Sequence, residues 1–155
     1  NAKLVIVGRG HMKKKLLKIA VELGVSESLF IKSAMSFEDL AQHYRSADLV
    51  VFPSYYEGQG LIPLEALASG TPVVTVDQAP LTEMIDDTVG GLFDRGDFVG
   101  LAKAVCDELN GHVQRLKKAK AGRKRVLENF TLEGQAESYE DVFLRSVQKR
   151  RWRDS

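Results

Sequence analysis

The sequence predicts an α/β fold, a parallel sheet with helices on both faces, assembled from βα units. Three observations lead there. Strand-like and helix-like segments alternate along the chain. Most strand-like segments are short continuous apolar runs, the pattern of strands buried on both faces. Glycine or proline closes several segments, at Gly8, Gly24, Pro53 and Gly70.

The elements follow in order. Leu4 to Val7 is an apolar, β-branched run that reads as a buried strand and is closed by Gly8. Met12 to Leu23 places Leu16, Leu17, Ile19, Ala20 and Leu23 at helical spacing, and Gly24 stops it. Leu29 to Ile31 is a second strand. Ser36 is suited to cap the next helix, with Glu38 and Asp39 in its first turn. That helix carries Leu40, Ala41 and Tyr44 and ends near Ser46. Leu49 to Phe52 is a third strand, stopped by Pro53, and the loop Ser54 to Gly60 follows. Leu61 to Ala68 reads as a helix that tolerates Pro63 because it lies in the first turn. Gly70 is its C-cap. Pro72 to Val76 is a fourth strand, Leu81 to Ile85 a short helix and Gly91 to Phe93 a fifth strand. Phe98 to Leu109 is helical, with Leu101, Ala102, Val105 and Leu109 on one face. Val113 to Asn129 and Leu132 to Lys149 are two further helices, the last capped by Thr131.

The bulk properties bound the answer. A chain of 155 residues suits one domain. The formal net charge of +1 supplies no global field to attract nucleic acid. Basic residues cluster at Lys13 to Lys15, at Lys117 to Arg125 and at Lys149 to Arg153. The second cluster reads as a solvated helix face. The tail Arg150, Arg151, Trp152 and Arg153 has the chemistry of a weak peripheral membrane contact, although a frayed terminus is the favoured reading of so short a segment. The single cysteine, Cys106, allows neither an internal disulfide nor a cysteine metal site. It lies in an apolar helical pattern and is expected to be a buried, inert thiol. A reducing, cytoplasmic setting fits. No apolar run approaches the roughly 20 residues of a membrane span, and no signal peptide is evident. The chain opens directly on a strand and reads as a fragment.

In such sheets ligands bind beyond the carboxyl ends of the strands. Four loops leave those ends: Gly8 to His11, Ser33 to Ser36, Ser54 to Gly60 and Asp77 to Pro80. The third is the most informative. Gly58 and Gly60 permit a tight turn and a close ligand approach. The following helix turns its free N–H groups and positive dipole end toward the loop, a ready site for a phosphate or diphosphate. Two carboxylates flank it, Glu57 before the glycines and Glu65 about a turn into the helix. A carboxylate suits a vicinal diol, so one can take a sugar and the other a ribose. Equally, Glu57 can be a solvated loop residue and Glu65 an offset to the helix dipole. Spacing alone does not choose.

Other polar residues are weaker candidates. Arg9, and with less support His11, can reach a phosphate from the first loop, though His11 more simply begins a helix. His43 and His112 are expected at the surface, and no pair of histidines has metal-ligand spacing. Tyr55 and Tyr56 either line a cleft or shield the core. No Ser-His-Asp arrangement supplies a nucleophile.

The segment Glu57, Gly58, Gln59, Gly60, then Glu65 and Ala66, then Ser69, Gly70, Thr71, Pro72, Val73 and Val74 resembles the signature of glycosyltransferase family 4. Tyr44 to Leu49, Val51 to Ser54, Leu4 to Gly10 and Gly91 to Phe93 resemble that family too, in order, from about residue 3 to about residue 143. The resemblance implies a GT-B architecture of two Rossmann-like domains, of which residues 1–155 correspond to the later, donor-binding one. It implies that Glu57 contacts hydroxyls of the transferred sugar and acts as the catalytic residue. It further implies that amides of Gly58, Gln59, Gly60 and Leu61 meet the sugar and diphosphate, and that Glu65 holds the ribose. Backbone near Ala34 and Met35 would border the base, and the turn of Gly8, Arg9 and Gly10 would line the pocket.

The implied activity is sugar transfer from a nucleoside-diphosphate sugar, such as a UDP sugar, with retained anomeric configuration. No divalent metal or other cofactor is expected. The implied partners are the nucleotide sugar and an N-terminal acceptor-binding domain. Gln59, Arg9 and Ser33 depart from the usual aromatic, acidic and glycine residues. The family's diphosphate-gripping Arg and Lys lie upstream of the residues present. The chain thus reads as lacking the first βα unit of its domain, with an exposed sheet edge and no turnover on its own. A non-catalytic nucleotide-sugar module and a GT-B nucleotide-sugar epimerase are the alternatives.

Overall fold

A computed structural model describes the backbone of residues 2–151 and the side chains of residues 2–148. The elements are β1 (Leu4–Val7), α1 (Lys13–Glu22), a 3-10 turn (Ser26–Ser28), β2 (Leu29–Lys32), α2 (Phe37–Ser46), β3 (Val50–Phe52), α3 (Leu61–Ala68), β4 (Val73–Val76), α4 (Leu81–Met84), β5 (Gly90–Phe93), α5 (Phe98–Asn110), α6 (His112–Asn129) and α7 (Leu132–Arg151). Every expected strand and helix is present. The strands form two parallel sheets rather than one, in two compact units that divide between His43 and Tyr44.

In the first unit β1 and β2 pair in parallel, from Leu4 beside Leu29 to Val7 beside Lys32. Ala20 of α1 is buried. Ser36 caps α2 as expected: its Oγ accepts from the Asp39 amide at 3.1 Å and donates to the Asp39 carboxylate at 2.7 Å. The expected burial of β1 is not found. Leu4, Val5 and Val7 are 53, 42 and 41% exposed. An apolar run is buried on both faces only where layers cover both, and among the described residues β1 lies in a sheet of two strands.

The second unit is built on β3, β4 and β5, with β4 central. All four residues of β4 are fully buried because both faces are covered. Side chains alternate across a strand. Val73 therefore packs with Leu64 and Leu67 of α3, Leu81 and Met84 of α4 and Val126 of α6. Val74 and Val76 pack on the opposite side with Phe93 and with Leu101, Ala104 and Val105 of α5. Each such fully buried valine or leucine contributes about 1.5–3 kcal/mol.

Three expectations fail on the helices of this unit. The inward stripe of α5 is Leu101, Ala104, Val105 and the buried Glu108, so Ala102 faces solvent. Cys106 is exposed, not buried; one residue past Val105 is about 100° around the helix. The Lys117–Arg125 run is only partly a solvated face. Lys118 pairs with Glu108 and donates to the Gly90 carbonyl at 2.8 Å. Arg123 donates to the Ala68 carbonyl, and Arg125 to the Met84 carbonyl at 2.9 Å. These carbonyls end α3 and α4, where a cation satisfies orphan acceptors and the negative dipole end together.

Thr131 caps α7, accepting from the Gly134 amide at 3.1 Å. Tyr139 and Phe143 stack on α7 with centroids 6.4 Å apart. The tail residues Trp152 and Arg153 lie outside the described residues, as do the side chains of Arg150 and Arg151. Among the described residues no helix is long and apolar enough to cross a membrane.

Candidate functional site

Parallel pairing sets the carboxyl ends of β3, β4 and β5 along one edge of their sheet. The loops Ser54–Gly60 and Asp77–Pro80 and the turn after Phe93 leave that edge. The first is pinned by its neighbours. Gln78 donates to the Tyr55 carbonyl at 2.8 Å, and the Ser54 hydroxyl to the Tyr56 carbonyl at 3.3 Å. Tyr55 packs against the apolar core, whereas Tyr56 is 82% exposed.

The loop ends at Gly60, which N-caps α3 with φ of 81°, in the left-handed region. A Cβ there would lie 2.9 Å from Leu81 Cδ2 and from Met84 Cε, so both conformation and packing require glycine. Gly58 differs. Its φ is not left-handed, and a Cβ would meet nothing within 4 Å. The fold does not demand glycine at Gly58. Among the described residues no side chain caps the N-terminus of α3. Leu61 and Ile62 begin the helix exposed, and Pro63, lacking an N–H, is buried.

The two carboxylates stand in different surroundings. Glu57 is half-buried and makes no side-chain hydrogen bond or ion pair among the described residues. Glu65 is half-buried on α3, and its Oε2 accepts from the Tyr44 hydroxyl at 3.0 Å. Burial foremost, then the Glu65 hydrogen bond and charge, hold the Tyr44 phenol above its ordinary range. Tyr44 is thus a committed donor, itself placed by Thr71, whose hydroxyl donates to the Tyr44 carbonyl at 2.5 Å. Sequence reasoning missed this pairing; Tyr44 precedes Glu65 by 21 residues, with a strand between.

A scan of known families matches residues 1–125 to the glycosyl transferases group 1 model. The chain belongs to the group 1 glycosyl transferases. Over 139 residues it is 34% identical to a D-inositol 3-phosphate glycosyltransferase of Salinispora tropica, covering 89% of this chain and 29% of that protein. It is similar to a mutant form of TarM from S. aureus, solved in complex with fondaparinux, alpha-GlcNAc-glycerol and UDP. There the identity is 26% and the TM-score 0.79, over 91% of this chain and 29% of the other. It is also similar to the C-terminal domain of a group 1 family protein, LpcC, from Francisella tularensis. That identity is 26% and the TM-score 0.72, over 78% of this chain and 63% of the other. The chain spans less than a third of the curated relatives it matches, from 18 to 29% of their length.

The remaining candidates of this group 1 chain lie in its first unit. Gly8, Arg9 and Gly10 follow β1, and Ala34 and Met35 follow β2, at the carboxyl edge of that sheet. The Gly8 amide donates to the Lys32 carbonyl at 2.9 Å. Arg9 and His11 are exposed, and Arg9 makes no side-chain hydrogen bond or ion pair among the described residues. His43 is half-buried: its Nδ1 donates to the Asp39 carbonyl at 2.8 Å, so Nε2 accepts from the Lys32 ammonium at 2.9 Å. Among the described residues no group of three or more His, Cys, Asp and Glu side chains is arranged to hold a metal ion.

Proposed function

We propose that this chain is the donor-binding part, the C-terminal half, of a retaining GT-B glycosyltransferase that moves a sugar from a nucleoside diphosphate to an acceptor. One observation carries the reading. The uncapped N-terminus of α3 lies between Glu57, a carboxylate without a partner among the described residues, and Glu65, one held by a committed donor. The free amides and dipole of α3 suit the diphosphate and favour its departure as an anion. Glu65 retains Oε1 for a ribose hydroxyl while Tyr44 fixes Oε2. Glu57 is left to address sugar hydroxyls, and the open side of Gly58 admits the sugar. Gln59 and Leu61 contribute backbone to the same turn.

Family membership supports this reading, and the UDP of the TarM complex makes UDP the first nucleotide to try. Gly8, Arg9, Gly10, Ala34 and Met35, in the first unit, are donor-binding candidates by the resemblance alone. The donor requires no resident cofactor, the setting is cytoplasmic, and an acceptor-binding domain is the partner.

The test is calorimetric titration of the whole protein with UDP, GDP and ADP, beside Glu65→Ala and Glu57→Gln variants. Binding of one nucleotide, weakened by Glu65→Ala, with turnover but not nucleotide affinity lost in Glu57→Gln, is the expected result. Silence toward all three would sink the donor-binding role. An epimerised nucleotide sugar with no glycoside formed would replace transfer by epimerisation.

A further inference from the structure

Arg95 lies in the turn after β5, 39 positions beyond Tyr56, yet it joins the Ser54–Gly60 loop. Its guanidinium carbon stands 5.1 Å from the centre of the Tyr55 ring and 5.0 Å from that of Tyr56. Its Nη2 donates to the Tyr56 hydroxyl at 3.0 Å. Side chains of successive residues in extended chain diverge. Two consecutive rings meet one cation here because the chain bends at Tyr55. A planar guanidinium suits this role, since it lies against aromatic faces while its N–H groups point along fixed directions. Gln78 holds the Tyr55 carbonyl from the other adjacent loop. Tyr55 also has the core behind it, whereas Tyr56 is mostly exposed and relies on Arg95 for its ring. The next residue is Glu57, whose direction the loop alone sets.

We propose that Arg95 is a positioning residue for the sugar end of the site. It braces the bend at Tyr55 and Tyr56, and so fixes where Glu57 and the glycines stand, without itself touching the donor. This rests on the donor-binding reading given above.

The test uses the whole protein with Arg95→Ala, Arg95→Lys and Tyr56→Phe. Amide hydrogen exchange over Glu57 to Gly60 reads the loop, and kcat is compared with the Kd for UDP. Loss of the brace in Arg95→Ala should speed exchange there about fivefold without lowering Tm. It should lower kcat by about tenfold while Kd for UDP stays within about twofold, because the diphosphate contacts are intact. Arg95→Lys keeps a cation over the rings and should recover part of both effects. Tyr56→Phe keeps the ring and loses the acceptor, and should fall between wild type and Arg95→Ala. Unchanged exchange in Arg95→Ala would overturn the brace whether or not UDP binds. A loss of UDP affinity in step with kcat would make Arg95 a direct contact and overturn positioning. If the wild-type protein binds no nucleotide while exchange still responds, the donor-binding reading has failed, and the positioning role with it.

Discussion

The Tyr44 hydroxyl donates to Glu65 Oε2 across 3.0 Å, tying the end of α2 to the first turns of α3. Hydrogen bonds to a charged group contribute about 1.5–3 kcal/mol, and some of that here orients the carboxylate. Tyr44→Phe keeps the ring and removes the donor. The expected result is a Kd for the preferred nucleoside diphosphate raised about tenfold, equal to about 1.4 kcal/mol. Combined with Glu65→Ala it should add little, because both changes remove one interaction. Full additivity in the double variant would show that the pair does not act together.

Gly58 and Gly60 separate folding from binding within one loop. Gly60→Ala forces a left-handed residue and drives a methyl against Leu81 and Met84. Its cost is about 3 kcal/mol, measurable as a lower denaturation midpoint. Gly58→Ala has neither penalty, so its stability should stay within about 0.5 kcal/mol of wild type. Its methyl enters the space proposed for the sugar, and nucleotide-sugar affinity should fall. Equal effects of the two substitutions on both measurements would remove the distinction.

What was legible in the sequence was local. The apolar run of β4, the Ser36 and Thr131 caps and the Gly60-to-α3 junction each depend on a few neighbouring residues, and each is found where expected. What was not legible depends on residues far apart. Tyr44 and Glu65 stand 21 positions apart and meet only in the folded second unit. Arg123 and Arg125 read as solvated charges until α6 brings them to the ends of α3 and α4. The exposure of β1 is set by what covers it, and an apolar run carries no record of that.

Cys106 illustrates the same point at one residue and yields a direct check. The apolar pattern of α5 is dense enough to admit several stripes, and packing selects the one through Val105. An exposed thiol should react with a thiol-specific chromogenic reagent in the folded protein, at a rate little changed on unfolding. Protection until denaturation would return Cys106 to the interior.

Asp86 gives the acid limit of the fold a specific origin. Burial works against its ionisation, but hydrogen bonds from Arg125 at 2.8 Å and from the Thr88 hydroxyl and amide at 2.5 and 2.9 Å outweigh it. With the Arg125 charge they lower the pKa from 3.8 to about 2. A carboxyl whose pKa is lower folded than unfolded binds fewer protons when folded, so its stabilisation is full above about pH 4. It is lost as pH falls from there through about 2. The carboxylate is half-exposed, so screening reduces the contribution to about 1 kcal/mol. Asp86→Asn should therefore be less stable than wild type by about that amount at pH 6. Denaturant unfolding at intervals down to pH 2 should show the two curves converging. The Arg125 side chain also holds the Met84 carbonyl, so Arg125→Ala should cost more than Asp86→Asn at pH 6 and keep part of its deficit at pH 2. A gap between wild type and Asp86→Asn that does not narrow with acid would place the source of acid sensitivity elsewhere.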